Sequence, residues 1–326
     1  MDWTAGSRAA LPGRGSVESS GMKVVVAGGT GVLGQALTAR LTAGGHQAVV
    51  LTRGRPRRAG GEAAGRLVEW TPDGSAGPWA RELDDADAVV NLTGAGIADR
   101  RWTDARKDEL RTSRLLSTRS LAAAIRAATP RPRTFVQNTG AGYYGADLSD
   151  RVLDESFPPG DDFLGDLCVA WEAEARAVSA LGCRLVILRS AVVLTPDGGA
   201  LKKMLPAFQF FVGGPIASGR QFFSWIHVDD WIAMVRWALA TPSVSDVYNA
   251  ASPHPVRNRE FSQALGQALR RPSWIPVPSF ALKVMFGELA EPALILGQRV
   301  VPKRALTAGF TFQHPEIGEA LADLVK

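Results

Sequence analysis

The chain alternates between short, continuous apolar runs and longer stretches in which apolar residues recur every three or four positions. The first pattern is typical of strands buried on both faces of a sheet, and the second is typical of helices that cover such a face. Strands that alternate with helices predict an α/β fold with a doubly wound parallel sheet. The strands are predicted at 23–27, 47–52, 66–70, 87–92, 133–138, 184–189 and 246–250, and the helices at 32–43, 104–128, 165–181 and 229–240.

The pattern changes after residue 194. Residues 195–226 are rich in glycine and proline with interleaved aromatic residues, and residues 253–326 have a helical pattern interrupted by prolines. We expect 195–226 plus 253–326 to form a smaller, mostly helical C-terminal lobe, and 22–194 plus 227–252 to form the sheet domain. Residues 1–21 are rich in Gly, Ser, Ala and Arg and lack the apolar core of a signal peptide, which predicts a disordered N-terminal extension.

The most informative segment joins the first strand to the first helix, where Gly28, Gly31 and Gly34 follow a G-x-x-G-x-x-G spacing. The first glycine permits a tight turn, the second lets the backbone approach a pyrophosphate, and the third lets the helix pack close to the strand. The helix N-terminus then points its N–H groups and its dipole at the anion. A tight turn without a ligand is the alternative, but the flanking strand and helix favour a dinucleotide site in a Rossmann-type domain.

The end of the second strand predicts which dinucleotide binds. A NAD site usually carries Asp or Glu there, to hold the ribose 2′-hydroxyl, but no acidic residue occurs between Glu18 and Glu62. Arg53 stands at the strand end instead, and an arginine matches the 2′-phosphate of NADP(H). The sequence therefore favours NADP(H) over NAD(H). Three further arginines are interpreted as a solvated basic loop, namely Arg55, Arg57 and Arg58.

Composition narrows the class of protein. The 326 residues carry a net charge of +5, and the arginines are spread along the chain, so nucleic-acid binding is not expected. No stretch reaches the roughly 18 apolar residues that a membrane span needs. Cys168 and Cys183 make no disulfide framework, and the four histidines are scattered, so no metal site is predicted. The expectation is a cytoplasmic protein with reduced thiols.

Several segments together resemble the extended short-chain dehydrogenase/reductase superfamily, and most closely an atypical branch similar to nucleoside-diphosphate-sugar epimerases, with its own C-terminal domain of unknown function. The segments are 28–34, 91–94, 97–102, 142–145, 158–164, 171–172, 198–200, 213–215, 218–221, 224–230, 297–300 and 302–303. The resemblance implies an NADP(H) cofactor and a small-molecule substrate, with nucleotide sugars as one class, and it is compatible with an oligomer. Besides Arg53, it implies cofactor contacts from Gly28, Thr30, Gly31, Val32, Leu33, Gly34, Leu92, Thr93, Gly94 and Thr139.

The usual acid/base of that superfamily is missing. Its members use Tyr-x-x-x-Lys, but none of the three tyrosines of this chain is followed by a lysine four positions later. The helix expected to carry the pair, 165–181, contains no lysine at all. The ordinary proton relay therefore cannot operate.

Three residues are candidates to replace it. Thr139 ends the fifth strand, where the superfamily places a hydroxyl on the reacting carbonyl, and capping of the turn is the alternative. Tyr143 lies in a glycine-rich loop at the same edge, with aromatic packing as the alternative. A carboxylate beside the nicotinamide can act as a general base, but Asp162 precedes a helix, and capping alone explains an acid there. Glu172 is expected to be a structural hydrogen-bond partner.

Three other residues are candidates for substrate contacts. Tyr144 shares the glycine-rich loop, and Arg220 lies in a second such loop, where an arginine suits a phosphate or a carboxylate. His227 either faces the substrate or satisfies buried backbone groups. Asp229 or Asp230 is expected to cap the helix that follows.

Two functional hypotheses remain. The first is an NADP(H)-dependent oxidoreductase or nucleotide-sugar-epimerase-like enzyme with a non-standard acid/base. The second is a non-catalytic NADP(H)-binding sensor or scaffold, which the missing tyrosine–lysine pair favours. The loops at 142–145 and 213–219 favour the enzyme, because a sensor has no need of them.

Overall fold

The computed structural model describes residues 21–54 and 65–326. The predicted disordered extension, apart from Gly21, lies outside these ranges, as do Arg55, Arg57 and Arg58. The strands are β1 Lys23–Ala27, β2 Gln47–Thr52, β3 Arg66–Glu69, β4 Ala88–Asn91, β5 Thr134–Gly140, β6 Val152–Leu153, β7 Arg184–Ser190, β8 Val192–Leu194, β9 Phe222–Phe223, β10 Trp225–His227, β11 Asp246–Ala250, β12 Val256–Arg257 and β13 Arg299–Val300. The helices are α1 Val32–Ala43, α2 Asp104–Ala127, α3 Phe163–Arg176, α4 Gly199–Gln209, α5 Val228–Ala240, α6 Asn258–Leu269, α7 Ser279–Phe286, α8 Lys303–Thr307 and α9 Ile317–Leu324.

Seven parallel strands form one sheet in the order β11-β7-β5-β4-β1-β2-β3. Apolar side chains cover both faces, because α1 and α5 pack on one face and α2 and α3 on the other. Along β1, for example, Val24 and Val26 face the first pair of helices, and Val25 faces the second. The predicted doubly wound sheet is confirmed. The order of the strands reverses between β1 and β4, and in such sheets ligands bind at the carboxyl ends beside this point.

Two helices begin earlier than the sequence predicts, and the residue that caps the second one differs from those expected. Helix α3 begins at Phe163, since Asp162 Oδ1 accepts the backbone N–H of Gly165 at 2.8 Å. Helix α5 begins at Val228, and the cap is neither Asp229 nor Asp230. The imidazole of His227 takes that place, accepting the backbone N–H of Asp229 at 3.1 Å.

A second, smaller core joins the two segments that the sequence assigns to the C-terminal lobe. Side chains of α4, β10, α6 and α9 pack together in it, led by Phe208, Trp225, Phe261 and Leu321. Ala305 and Phe312, by contrast, pack against the core of the large sheet. The C-terminal segment therefore connects both cores. Among the described helices, none has the length and apolar character to cross a bilayer.

Candidate functional site

The glycine loop after β1 is too crowded for side chains. Gly28 has φ +80°, and a Cβ there would stand 2.8 Å from the carbonyl carbon of Leu92. A Cβ on Gly34 would stand 2.4 Å from the carbonyl oxygen of Gly28 and from the Cα of Gly29. Glycine is thus required at the first and third positions of the motif, for the turn and for the close approach of α1.

Among the described residues, the N-terminus of α1 is uncapped, as is that of α4, whereas those of α2 and α3 are capped by Thr103 and Asp162. The first turn of α1 also contains no acidic residue. An uncapped helix start has N–H groups and a positive dipole end available to an anion. The loop and the helix together therefore fit the pyrophosphate of a dinucleotide.

Arg53 is exposed directly after β2, as expected of a 2′-phosphate ligand. It lies in a basic surface, because Arg53, Arg100 and Arg106 all act on the single carboxylate of Glu109 and lower its pKa, the bond from Arg106 having the largest effect. Arg106 is buried, so Arg53 and Arg100 are the exposed cations of this surface. This surface lies at the β2 side of the switch point, where the adenosine ribose of a dinucleotide binds.

The loop after β4 is held in place by buried polar bonds. The amide oxygen of Asn91 accepts the hydroxyl of Thr93 at 2.6 Å, and that hydroxyl lies 2.6 Å from the hydroxyl of Ser117. Gly94 has φ +151°, and a Cβ there would contact the guanidinium of Arg114 at 2.9 Å. Burial lowers the pKa of Arg114 to about 10. Arg114 donates to two backbone carbonyl groups at 3.0 Å, so it fixes this loop from beneath.

The threonine predicted to be catalytic lies within the protein. Thr139 is 3% exposed, and its hydroxyl donates to Glu172 at 3.4 Å. Glu172 also accepts two bonds from the guanidinium of Arg189, at 2.8 and 2.9 Å. Both side chains of this ion pair are at most 5% exposed. Glu172 therefore is a structural partner, and the role of Thr139 toward a substrate stays a prediction.

The two tyrosines after β5 lie on this ion pair. The guanidinium carbon of Arg189 is 3.2 Å from the ring centroid of Tyr143. The hydroxyl of Tyr144 accepts from Arg189 at 3.1 Å and donates to the amide oxygen of Asn249 at 2.7 Å. Burial raises the pKa of Tyr144 to about 12. Tyr144 is therefore a neutral phenol with internal partners, while Tyr143 is half-buried beside it.

Where helix α3 packs against the end of β5, the side chains that make the contact cannot relay a proton. Leu164 packs on Gly142, where a Cβ would stand 3.1 Å from the leucine Cβ. One turn later, the thiol of Cys168 donates to the carbonyl oxygen of Gly140 at 3.6 Å. Burial raises the pKa of this thiol to about 12, so it stays protonated and unreactive at neutral pH.

A cleft of about 470 Å³ opens where α3 begins, a size that suits a small molecule. It lies at the carboxyl ends of β4 and β5, on the opposite side of β1 from β2 and Arg53. A dinucleotide that binds along this edge has its nicotinamide on that side. The lining residues are Trp102, Ala146, Asp162, Phe163, Leu164, Lys283, Gly287, Glu288, Glu291, Pro292 and Leu296. Of the three catalytic candidates, Asp162 is thus a lining residue as well as a helix cap, and its chemical role stays a prediction.

Arg220 and His227 lie elsewhere. Arg220 is exposed before β9, and its carbonyl oxygen accepts a bond from Arg257. His227 is 1% exposed, and its ring stacks on that of His314 with the centroids 3.8 Å apart. Neither is among the lining residues, so their contacts with a substrate, like that of Tyr144, remain predictions.

The stacked histidines form a group that the sequence did not reveal. Ligand atoms of His227, His314 and Asp323 lie within 4.8 Å of one another. However, Nδ1 of His227 accepts a backbone N–H, so the proton of the neutral ring is on Nε2, which faces Asp323 at 3.5 Å. A metal-bound histidine has the opposite arrangement, since its second nitrogen donates. The geometry therefore favours a polar contact over a metal site.

Sequence reasoning missed the residues that hold the site together from beneath. Arg189 follows four apolar residues and Asn249 follows two, each near the end of a buried strand. A charged or amide side chain at the end of a buried strand indicates a buried polar network, because burial of such a group requires a hydrogen-bond partner.

Comparisons with known proteins agree with this geometry. Residues 24–251 match the NAD dependent epimerase/dehydratase family, and residues 277–324 match a domain of unknown function, DUF1731. The chain is 42% identical over 299 residues to the epimerase family protein Mb2239 of Mycobacterium bovis, covering 91% of this chain and 96% of that one. It is 40% identical over 307 residues to the human epimerase family protein SDR39U1, covering 93% and 100%. The crystal structure of human SDR39U1 (isoform 2) with NADPH has a TM-score of 0.84 at 38% identity, covering 93% of this chain and 99% of that one. The resemblance inferred from the motifs is confirmed.

Proposed function

Since the chain belongs to the NAD dependent epimerase/dehydratase family, we propose that it is an NADP(H)-dependent oxidoreductase that acts on a small molecule in the cleft beside Asp162. One observation carries the proposal: an uncapped helix start and a basic surface lead along the sheet edge to a cleft of substrate size. The similar human protein was crystallised with NADPH, which supports the choice of cofactor.

The residues of this chain fit NADP(H). Gly28 and Gly34 keep the loop open, and the N–H groups of α1 bind the pyrophosphate. Arg53 binds the 2′-phosphate, and Thr93 lies in the rigid loop after β4. When bound, the cofactor supplies or accepts a hydride.

The chain itself has to orient the substrate and move a proton at the substrate oxygen. We assign the proton to Tyr143, which follows β5 near the cleft but is not one of its lining residues, and Asp162 is the second candidate because it lines the cleft. The ion pair of Arg189 and Glu172 orients Tyr143 from beneath. Thr139 would have to exchange its bond to Glu172 for one to the substrate.

A non-catalytic NADP(H) sensor is the second candidate, and one observation favours it. The face of α3 that meets β5 has Leu164 and Cys168 at successive turns, and neither relays a proton. Purified protein mixed with NADPH and a panel of carbonyl compounds distinguishes the two. The enzyme consumes the absorbance band of the reduced nicotinamide, whereas the sensor binds NADPH tightly and leaves the band unchanged with every compound.

We place this enzyme in the cytoplasm. Both cysteines, Cys168 and Cys183, are buried free thiols, which supports a reducing compartment.

A further inference from the structure

The interior of the cleft is apolar and is assembled from separate parts of the chain. Trp102 stands edge-on to Phe163, with the ring centroids 5.1 Å apart. The indole N–H of Trp102 already donates to the carbonyl oxygen of Ile97 at 3.1 Å, so the ring offers the cleft its apolar surface. Four aliphatic side chains complete the interior, those of Ala146, Leu164, Pro292 and Leu296.

The charged side chains at the rim are paired with one another. Glu288 accepts from Lys107 at 2.5 Å, and Glu291 lies 3.2 Å from the ammonium of Lys283. Such pairs are weak because they are exposed. They nevertheless place a carboxylate beside each of these two ammonium groups.

The N-terminus of α3, which could also attract an anion, is occupied by a side chain. The carboxylate of Asp162 accepts the backbone N–H of Gly165 and thereby takes the position in which a phosphate would bind. A diphosphate in the cleft would meet three carboxylates, those of Asp162, Glu288 and Glu291. Among the described residues, the cations nearby are two ammonium groups and the guanidinium of Arg101, which lies beside Gly287 and donates to the carbonyl oxygen of Val284. Arg220, which the sequence suggested for a phosphate, is not a lining residue.

We propose that the cleft binds a substrate with an apolar, uncharged body, of the class of aromatic or alicyclic ketones and aldehydes, and that it rejects nucleotide sugars. The proposal rests on the function proposed above, because it names the substrate class of the same site. Its physical basis is the combination of an apolar interior with a rim whose charges repel or fail to bind a diphosphate.

The test is a binding experiment with the full chain saturated with NADP⁺. Saturation-transfer NMR measures the affinity of two probes, 2-acetylnaphthalene and UDP-glucose. Leu164→Asp places a carboxylate in the apolar interior, and Leu164→Trp fills it. Leu306→Asp makes the first substitution at an exposed leucine of α8 and is the matched control.

We expect the ketone to bind and to lose at least about tenfold in affinity in both Leu164 variants, which corresponds to about 1.4 kcal/mol. Leu306→Asp should keep the full affinity, and UDP-glucose should not bind. All variants should keep their NADP⁺ affinity, which shows that they are folded.

Binding of UDP-glucose that competes with the ketone or weakens in Leu164→Trp would overturn the proposal. So would ketone binding that is equal in all four proteins, or absent from a protein that binds NADP⁺. Failure to bind NADP⁺ would refute the proposed function itself, and this is a separate reading of the same samples.

Discussion

Breaking the buried ion pair beneath the site is expected to destabilise the protein strongly. The side chains of Arg189 and Glu172 are 4% and 5% exposed and share two bonds of 2.8 and 2.9 Å. Burial alone would lower the pKa of Arg189, but the bonds and the charge of Glu172 outweigh it and raise that pKa. Glu172→Ala leaves a buried guanidinium without its carboxylate, and such a loss costs about 3–5 kcal/mol.

Urea denaturation followed by circular dichroism measures this cost in Glu172→Ala, Arg189→Met and the double variant. The double variant should lose less than the sum of the single ones, because it removes both charges together. The exposed pair of Arg119 and Glu174, 2.5 Å apart, is the control. Glu174→Ala should cost no more than about 1 kcal/mol.

The reasoning would be refuted if Glu172→Ala cost as little as Glu174→Ala, or if the effects of the two buried substitutions simply added. Either result would mean that the polar network is not a coupled unit. Its assigned role of orienting Tyr143 would then lose its physical basis.

Three further predictions concern the cofactor loop and the acid stability. Arg53→Ala should weaken NADPH binding by about 10- to 100-fold, because it removes a hydrogen bond between charged groups, and should leave NADH binding nearly unchanged. A fluorescence titration measures both affinities, and equal losses for the two cofactors would contradict the 2′-phosphate contact. Gly34→Ala should abolish NADPH binding and lower the free energy of unfolding by about 1–3 kcal/mol, because its Cβ would overlap the loop, and unaltered binding would disprove the crowding argument. Burial, and to a lesser extent the charge of His314, lowers the pKa of His227 in the folded protein. The neutral imidazole therefore stabilises the fold fully above the unfolded pKa of about 6.5, and this stabilisation is lost as the pH falls through the lower, folded pKa. His227→Asn keeps a capping acceptor, and in urea titrations its free energy of unfolding should fall less toward acid pH than that of the parent protein. An unchanged pH profile would show that His227 does not cause the acid loss of stability.

For elements that depend on local sequence patterns, the sequence predicts the first and last residues correctly. The predicted bounds of β1, α1, β2 and β11 agree with the structure. These elements are delimited by signals that span only a few residues, namely strand periodicity and a glycine or polar turn at the boundary. Helix α3 was predicted two residues late because the apolar pair after Asp162 resembles a strand end as much as a first helical turn. Asp162, which the sequence suggests as a cap, fixes the start at Phe163 through its hydrogen bond to Gly165.

The residues of the candidate site likewise fall into those indicated by local sequence patterns and those brought together only by the fold. The glycine loop after β1 and Arg53 after β2 are each local signals beside one strand, so the sequence could indicate them, and their contacts with a cofactor remain predictions. The pair of Arg189 with Glu172, and the stack of His227 on His314, join residues that are distant along the chain. Only the packing of α3 on β7, and of the C-terminal segment on α5, brings these groups together.

The most direct test of the central claim is to follow a deuterium label from NADPH deuterated at C4 into a carbonyl substrate. The account predicts that mass spectrometry finds the label on the carbinol carbon of the product, and that Tyr143→Phe slows this transfer without weakening NADPH binding. If NADPH binds tightly but the label stays on the cofactor with every carbonyl compound of the panel, the protein is a sensor and the account is wrong.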